Sequence, residues 1–283
     1  MKVLIVGASS FIGLRLFRHF LADARYGVAG TYYEHRKDER LQHLDITDPV
    51  EMEQVLQMVQ PDVVVWVAGT KNLKKCEAEP EYARKINTTP VEDLVRILPQ
   101  HAMKPHVVFI STDYVFDGER GRYSDMDVPD PKTNYGKSNL LGELILQQSP
   151  LDFSIVRTSA VMGRHGTFFE WVTTAMRQAK AVDLYDDVYF SPTPVTWLLK
   201  GLESIVQHRS RGIFHVCGNQ RMSRYEFAAA LQQRHPGLFV APLVPTHADA
   251  SQPLFQKDLS MIPSAVCQPF QTQGSIEELD GEI

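Results

Sequence analysis

Lys2-Val3-Leu4-Ile5-Val6-Gly7-Ala8-Ser9-Ser10-Phe11-Ile12-Gly13 is the stretch whose reading decides the fold of this chain. Its opening is a short, β-branched-rich run with no polar alternation, the pattern of a parallel strand buried on both faces. The run ends at Gly7. From Ile12 to Ala24 the apolar residues Ile12, Leu16, Phe17, Phe20 and Leu21 recur at helical spacing, so the unit reads strand, tight turn, helix. That order places free backbone N–H groups and the positive end of a helix where a pyrophosphate can meet them. Gly7 permits the turn and Gly13 permits close packing of helix on strand, with Ser9, Ser10, Phe11 and Ile12 lining the path between. A glycine turn alone is equally a structural connection; its place between first strand and first helix favours the dinucleotide reading.

The same alternation continues. Strands are expected at residues 27–33, 62–68, 107–111 and 153–157, with helices at 49–59, 83–98 and 134–148 between them. Strands alternating with helices predict an α/β chain, an NAD(P)-binding Rossmann fold with a doubly wound parallel sheet, over residues 1–158. Beyond it come a helix at 167–180, a Pro-rich bend Ser191-Pro192-Thr193-Pro194, a helix at 197–207, a strand at 212–217 and a helix from Ser223, whose Ser-Arg-Tyr-Glu spacing is a capping box. Residues 159–270 read as a smaller substrate-binding annex, interleaved with the sheet and closing over its carboxyl edge, where ligands bind in such folds. Residues 271–283 form a polar, acidic tail expected to be poorly ordered.

With 283 residues and 43% hydrophobic content the chain can bury a sizeable core. Basic residues number 29 against 34 acidic, a formal charge of -5, and no basic stripe tracks a phosphate backbone, so nucleic acid is not the expected partner. No apolar run approaches membrane-spanning length, and Val3 to Val6 is too short for a signal-peptide core. Cys76, Cys217 and Cys267 are odd in number and scattered, which fits neither a disulfide framework nor metal-ligand spacing; no metal is expected, and a reduced cytoplasm is the expected compartment.

About 20 residues past Gly13 an acidic residue would bind an adenosine ribose. Here the chain reads Tyr33-Glu34-His35-Arg36-Lys37. Arg36, with His35 or Lys37, can bind a 2′-phosphate, since a guanidinium forks onto phosphate oxygens. Glu34 would instead serve NAD(H). We read the stretch as favouring NADP(H).

Five landmarks resemble the dTDP-4-dehydrorhamnose reductase family of extended short-chain dehydrogenases, over residues 1 to about 260. They are Leu44-Asp45-Ile46-Thr47-Asp48, Val67-Ala68-Gly69-Thr70, Ser111-Thr112-Asp113-Tyr114-Val115-Phe116-Asp117-Gly118, Asn134-Tyr135-Gly136-Lys137-Ser138-Asn139 with Leu141-Gly142-Glu143, and Ser191-Pro192-Thr193. The stretch Gly212-Ile213-Phe214-His215-Val216-Cys217-Gly218-Asn219 is similar to the regulatory β subunit of methionine adenosyltransferase, which has this fold. The resemblance implies that Asp45 and Ile46 border the adenine, that Ala68, Gly69 and Thr70 line ribose and phosphate, and that Asn87 stands close to the catalytic helix. It further implies that Thr112 holds the substrate carbonyl, that Tyr135 donates its proton, and that Asp113, Tyr114, Val115 and Phe116 border the sugar. The implied ligand is a keto-sugar or sugar nucleotide, and a homodimer or a regulatory protein partner fits the resemblance.

Three departures stand out. Ser10 replaces the middle glycine of the superfamily turn and could give its hydroxyl to phosphate. Gln252-Pro253 stands where the family has Arg-Pro, losing a charge-assisted contact to phosphate. Most telling, the superfamily pattern is Tyr-x-x-x-Lys and here the fourth residue after Tyr135 is Asn139. Position 139 lies roughly 40° from Tyr135 around a helix, whereas Lys137 is turned by roughly 200° and points away. The resemblance gives that lysine two tasks, lowering the tyrosine pKa and gripping the nicotinamide ribose. Asn139 could keep a ribose hydrogen bond but supplies no charge. The expectation is slow NADPH-dependent carbonyl reduction with poor oxidation, or a non-catalytic NADP-binding subunit of a partner enzyme.

Overall fold

The computed structural model describes residues 1–249, 251, 254 and 256–283. The chain divides into two compact units: Met1–Val115 with Pro131–Val156 and Leu202–Ile213, and Phe116–Asp130 with Arg157–Gly201 and Phe214–Ile283.

The first unit is built on β1 (Lys2–Val6), β2 (Gly27–Tyr32), β3 (Gln42–His43), β4 (Val63–Trp66), β5 (His106–Thr112) and β6 (Phe153–Thr158). With the strand Gly212–His215 they form a seven-stranded sheet in the order Gly212–His215, β6, β5, β4, β1, β2, β3. The pairs β1–β2, β1–β4, β2–β3 and β4–β5 are parallel. Helices α1 (Phe11–Leu21), α2 (Pro49–Val59), α3 (Leu73–Ala78), α4 (Pro80–Asn87), α5 (Thr89–Gln100) and α6 (Asn134–Gln148) accompany it. The strand order reverses between β1 and β4, the position at whose carboxyl ends doubly wound sheets bind ligands. Leu4, Val6, Val64, Trp66, Val107 and Phe109 of the strands pack with Met52, Leu56, Leu94, Ile97 and Leu146 of α2, α5 and α6.

The single helix expected at 83–98 is two helices, broken at Thr88. Pro90 is the cause: it has no N–H to bond the carbonyl four residues back, and it starts α5 as a first-turn proline instead. The short helix α3 has no counterpart in the sequence reading.

In the second unit Phe169, Met176, Leu184, Phe190, Phe227 and Phe239 form a separate core. The capping box at Ser223 and Glu226 is present, with both hydrogen bonds made. The acidic tail is ordered, contrary to expectation: Ser275–Glu278 is helical, and Ile276 and Leu279 enter the core at 4% and 0% exposure. Two apolar residues at i and i+3 supply the knob that a count of charges overlooks. Cys76, Cys217 and Cys267 are buried, and none of the three is in a disulfide.

Candidate functional site

The turn after β1 is shaped by two glycines. Gly7 has φ +87°, and a Cβ there would lie 2.8 Å from the Ala68 backbone at the end of β4. A Cβ on Gly13 would lie 2.2 Å from the Gly7 carbonyl, so α1 sits as close to the strand as only glycine permits. Ser10 is the N-cap. Its hydroxyl donates to the Gly7 carbonyl at 2.9 Å and accepts from the Gly13 N–H at 3.1 Å. In this structure its proton is directed into the turn. The backbone N–H groups of Phe11 and Ile12 open the helix with no carbonyl one turn behind them, and with half-buried Ser9 they are the part of the turn suited to an anion.

Past β2, His35 and Arg36 are exposed. The Arg36 guanidinium lies 5.8 Å over the Tyr32 ring and donates to the Glu39 carbonyl, which holds a cation at this edge of the sheet. Asp45 is used locally: one carboxylate oxygen accepts from both the N–H and the hydroxyl of Thr47 at 2.8 Å, and Ile46 packs against the core. Beyond β4, Ala68 and Thr70 are half-buried and Gly69 is exposed. Asn87 is buried at the end of α4; its Oδ1 accepts from the Thr70 N–H at 2.8 Å, and its Nδ2 donates to the Ser138 hydroxyl at 3.0 Å. One side chain thus ties the β4 loop to α6.

Thr112 ends β5 and Tyr135 opens α6, and the Thr112 side chain is near enough to influence the Tyr135 hydroxyl. Burial is the largest influence on Tyr135, holding its pKa above a phenol's usual value; the Thr112 side chain opposes this, while Asp113, Tyr114 and Cys76 add to the rise. None of these leading influences is a cation. Asn139 lies on the same face, 8% exposed, and its Nδ2 donates to the Tyr135 carbonyl at 2.9 Å. The amide that stands for the lysine is turned back onto its own helix. Lys132 and Lys137 are exposed.

The close approach of α6 depends on Gly136, where a Cβ would meet the Tyr114 carbonyl at 2.1 Å. Three further groups were not assigned roles from sequence. Glu143, fully buried two turns along the face of Tyr135 and Asn139, accepts from Ser111 at 2.5 Å. Ser138 receives Asn87, and Glu77 accepts the Asn134 N–H at 2.6 Å at the start of α6. Glu143 had a visible signal, since an acid spaced eight residues from Tyr135 falls on the inner face of the helix.

Of the residues expected to border a sugar, Asp113 is buried beside Thr112, whose hydroxyl donates to it at 3.1 Å. Tyr114 is half-buried, its ring edge-on to Tyr135 with centroids 5.5 Å apart. Val115 and Phe116 have 0% exposure. Within the second unit Phe116 stacks on Tyr123 at 4.3 Å and 3°, the setting of a core ring and not of a wall open to ligand. Gln252 and Pro253 lie outside the described residues.

Comparison with known proteins now decides the family. The sequence pattern described as the RmlD substrate binding domain matches residues 1–253. The chain belongs to this family. It is 32% identical to the spore coat polysaccharide biosynthesis protein SpsK of Bacillus subtilis, over 82% of this chain and 78% of that protein. It is 27% identical to methionine adenosyltransferase 2 subunit beta of Xenopus laevis, over 81% of this chain and 71% of that protein. A crystal structure of a hypothetical dTDP-4-dehydrorhamnose reductase from Sulfolobus tokodaii superimposes with a TM-score of 0.86 and 31% identity, covering 98% of this chain and 99% of that one. The RmlD membership agrees with the resemblance read from the landmarks, and the fold is the NAD(P)-binding α/β fold they implied. Among the described residues no helix is long and apolar enough to cross a membrane.

Proposed function

We propose that this chain is an NADP(H)-dependent reductase of a keto group on a sugar nucleotide or a related small molecule. The observation that carries the reading is the placing of Thr112, at the end of β5, beside Tyr135, at the start of α6, at the carboxyl edge of the sheet and in the same unit as the glycine turn. The turn fits a pyrophosphate: its two glycines clear the space a Cβ would fill, and the first-turn N–H groups of α1 face it. Arg36 supports the phosphorylated cofactor, because a guanidinium matches a 2′-phosphate in charge and geometry. A nicotinamide cofactor bound in this way supplies a hydride.

The chain's own residues then have defined tasks. Thr112 and Tyr135 hold the carbonyl oxygen between two hydroxyls, and Tyr135 delivers its proton as negative charge develops on that oxygen. Burial keeps Tyr135 protonated at neutral pH, the state reduction needs. Oxidation needs the phenolate, which burial disfavours and the uncharged Asn139 does not restore. Asn139 therefore biases the site towards reduction.

The test is NADPH consumption by the purified chain with a panel of nucleotide-linked keto sugars, beside Tyr135→Phe. Turnover that drops by about a hundredfold or more in the variant supports general-acid catalysis by this hydroxyl; undiminished turnover contradicts it.

A second reading, a non-catalytic NADP-binding subunit that regulates a partner enzyme, is favoured by the turned-back Asn139 and by the relative named a methionine adenosyltransferase subunit. Stoichiometric co-purification with a partner, together with no turnover on any keto sugar, would select it.

A further inference from the structure

Glu77 follows Lys74 and Lys75 on α3, yet among the described residues its half-buried carboxylate makes no ion pair. Lys75 is turned elsewhere, its Nζ 3.9 Å from the centroid of the Tyr82 ring. Glu77 instead accepts the N–H of Asn134, the first residue of α6 and the one before Tyr135, at 2.6 Å. A charged acceptor on a free amide at the positive end of a helix makes one of the stronger hydrogen bonds in a protein.

The helix that carries Glu77 is itself tied down. Asn72 caps it, accepting the Lys75 N–H at 3.1 Å, and the Asn72 N–H donates to the Thr70 hydroxyl oxygen at 3.2 Å. Tyr82 donates to the same oxygen at 3.4 Å, and Cys76, next to Glu77, has 0% exposure. α3 is therefore fastened to the loop after β4, and Glu77 joins it to the start of α6, all within the first unit. On the α6 side Thr133 accepts the Gly136 N–H at 3.0 Å. The N–H groups on either side of Tyr135 are thus both held, one by the helix's own cap and one from α3.

We propose that Glu77 is a positioning residue for Tyr135: by holding the Asn134 N–H it sets the first turn of α6, and with it the place of the phenol beside Thr112. This rests on the reading of Tyr135 as the proton donor. Misplacing a reacting group by about 1 Å can cost about a hundredfold in rate, so the bond acts on turnover beyond its share of stability.

Two substitutions break the same bond from opposite ends. Glu77→Ala removes the acceptor. Asn134→Pro removes the donor, at a first-turn position that suits proline and where the Asn134 side chain makes no hydrogen bond among the described residues. Each should lower kcat for keto-sugar reduction by about tenfold, with KM for NADPH and sugar within about twofold, and the double variant should lose no more than either alone. Glu77→Gln keeps an acceptor oxygen and should recover most of the loss. A cap serving stability alone would lower the thermal midpoint and leave kcat per folded chain as in wild type. Hydrogen exchange of the first turn of α6, followed by mass spectrometry, reads the bond without turnover: Glu77→Ala should speed it by about fivefold and leave β1 and β2 unchanged. Unchanged kcat in both single variants, additive losses in the double variant, or unchanged exchange overturns the inference. No turnover by wild type removes the reductase reading instead, and the exchange result then decides this inference alone.

Discussion

Asn139 concentrates the question at the scale of one residue. It occupies the face where a charged lysine would act on Tyr135, and it spends an amide proton on the Tyr135 carbonyl instead. The phenol is left to burial, which raises its pKa. The consequence depends on direction. An acid catalyst that is already protonated loses little, whereas a base catalyst loses about tenfold in active form for each unit its pKa stands above the solution pH. Asn139→Lys should therefore raise alcohol oxidation at pH 7 by about tenfold or more, one unit of pKa being worth about 1.4 kcal/mol, while changing reduction much less. Initial rates in both directions check this, and equal effects on the two would contradict it. The absence of the lysine was plain in the sequence. What replaced its contact was not, because an Asn at that position can reach outward to a ribose or back to its own helix, and only the rotamer distinguishes them.

At the scale of elements, α6 is positioned by contact and not by propensity. Gly136 lets it touch the Tyr114 carbonyl, Glu143 binds Ser111 one residue before Thr112, and Asn87 reaches Ser138 from α4. Gly136→Ala must push α6 away from a backbone atom that has no room to yield. A loss of about 1–3 kcal/mol in urea denaturation is expected, as for other overpacked sites, with reductase activity falling alongside. Ser111→Ala removes one hydrogen bond from a buried carboxylate and should cost about 1–3 kcal/mol. Should its thermal midpoint match wild type, Glu143 is not clamping β5 to α6. The strands and the long helices were legible because their apolar periods are unambiguous. Thr88 and α3 were not, because a helix break at Pro90 competes with a continuous apolar stripe, and α3 is only six residues long. Phe116 shows the same limit for the site: its sequence neighbours Thr112 to Tyr114 stand at the edge that holds Tyr135, and only the fold puts the Phe116 ring into a core.

For the whole molecule the clearest linkage is to acid. His106 and His215 are buried, and burial is the largest cause pulling both pKa values down to about 4 from 6.5. In the fold His106 bonds Ser154 at 2.7 Å, and His215 bonds the Tyr123 carbonyl at 3.2 Å. Above the unfolded value both states are neutral and the histidines leave stability independent of pH. Between 6.5 and about 4 the unfolded chain takes up protons that the fold refuses, so stability falls as pH falls, with a slope of up to about 1.4 kcal/mol per pH unit for each histidine. Denaturation at pH 7.5 and pH 5 should show this loss, and His106→Gln should flatten it; identical slopes in variant and wild type would remove His106 from the account. The molecule as a whole is a member of the RmlD family in which Tyr135 and the contacts that hold α6 are present while Asn139 stands where the superfamily has a lysine. The proposed reaction is hydride delivery to a carbonyl carbon. Sugar nucleotides incubated with the chain and NADPH deuterated at the transferring position of the nicotinamide, then analysed by mass spectrometry, test it most directly. The account predicts deuterium on the carbon that becomes the alcohol, and its disappearance in Tyr135→Phe; no deuterium in any keto sugar of the panel, from a chain that binds NADPH, would contradict it.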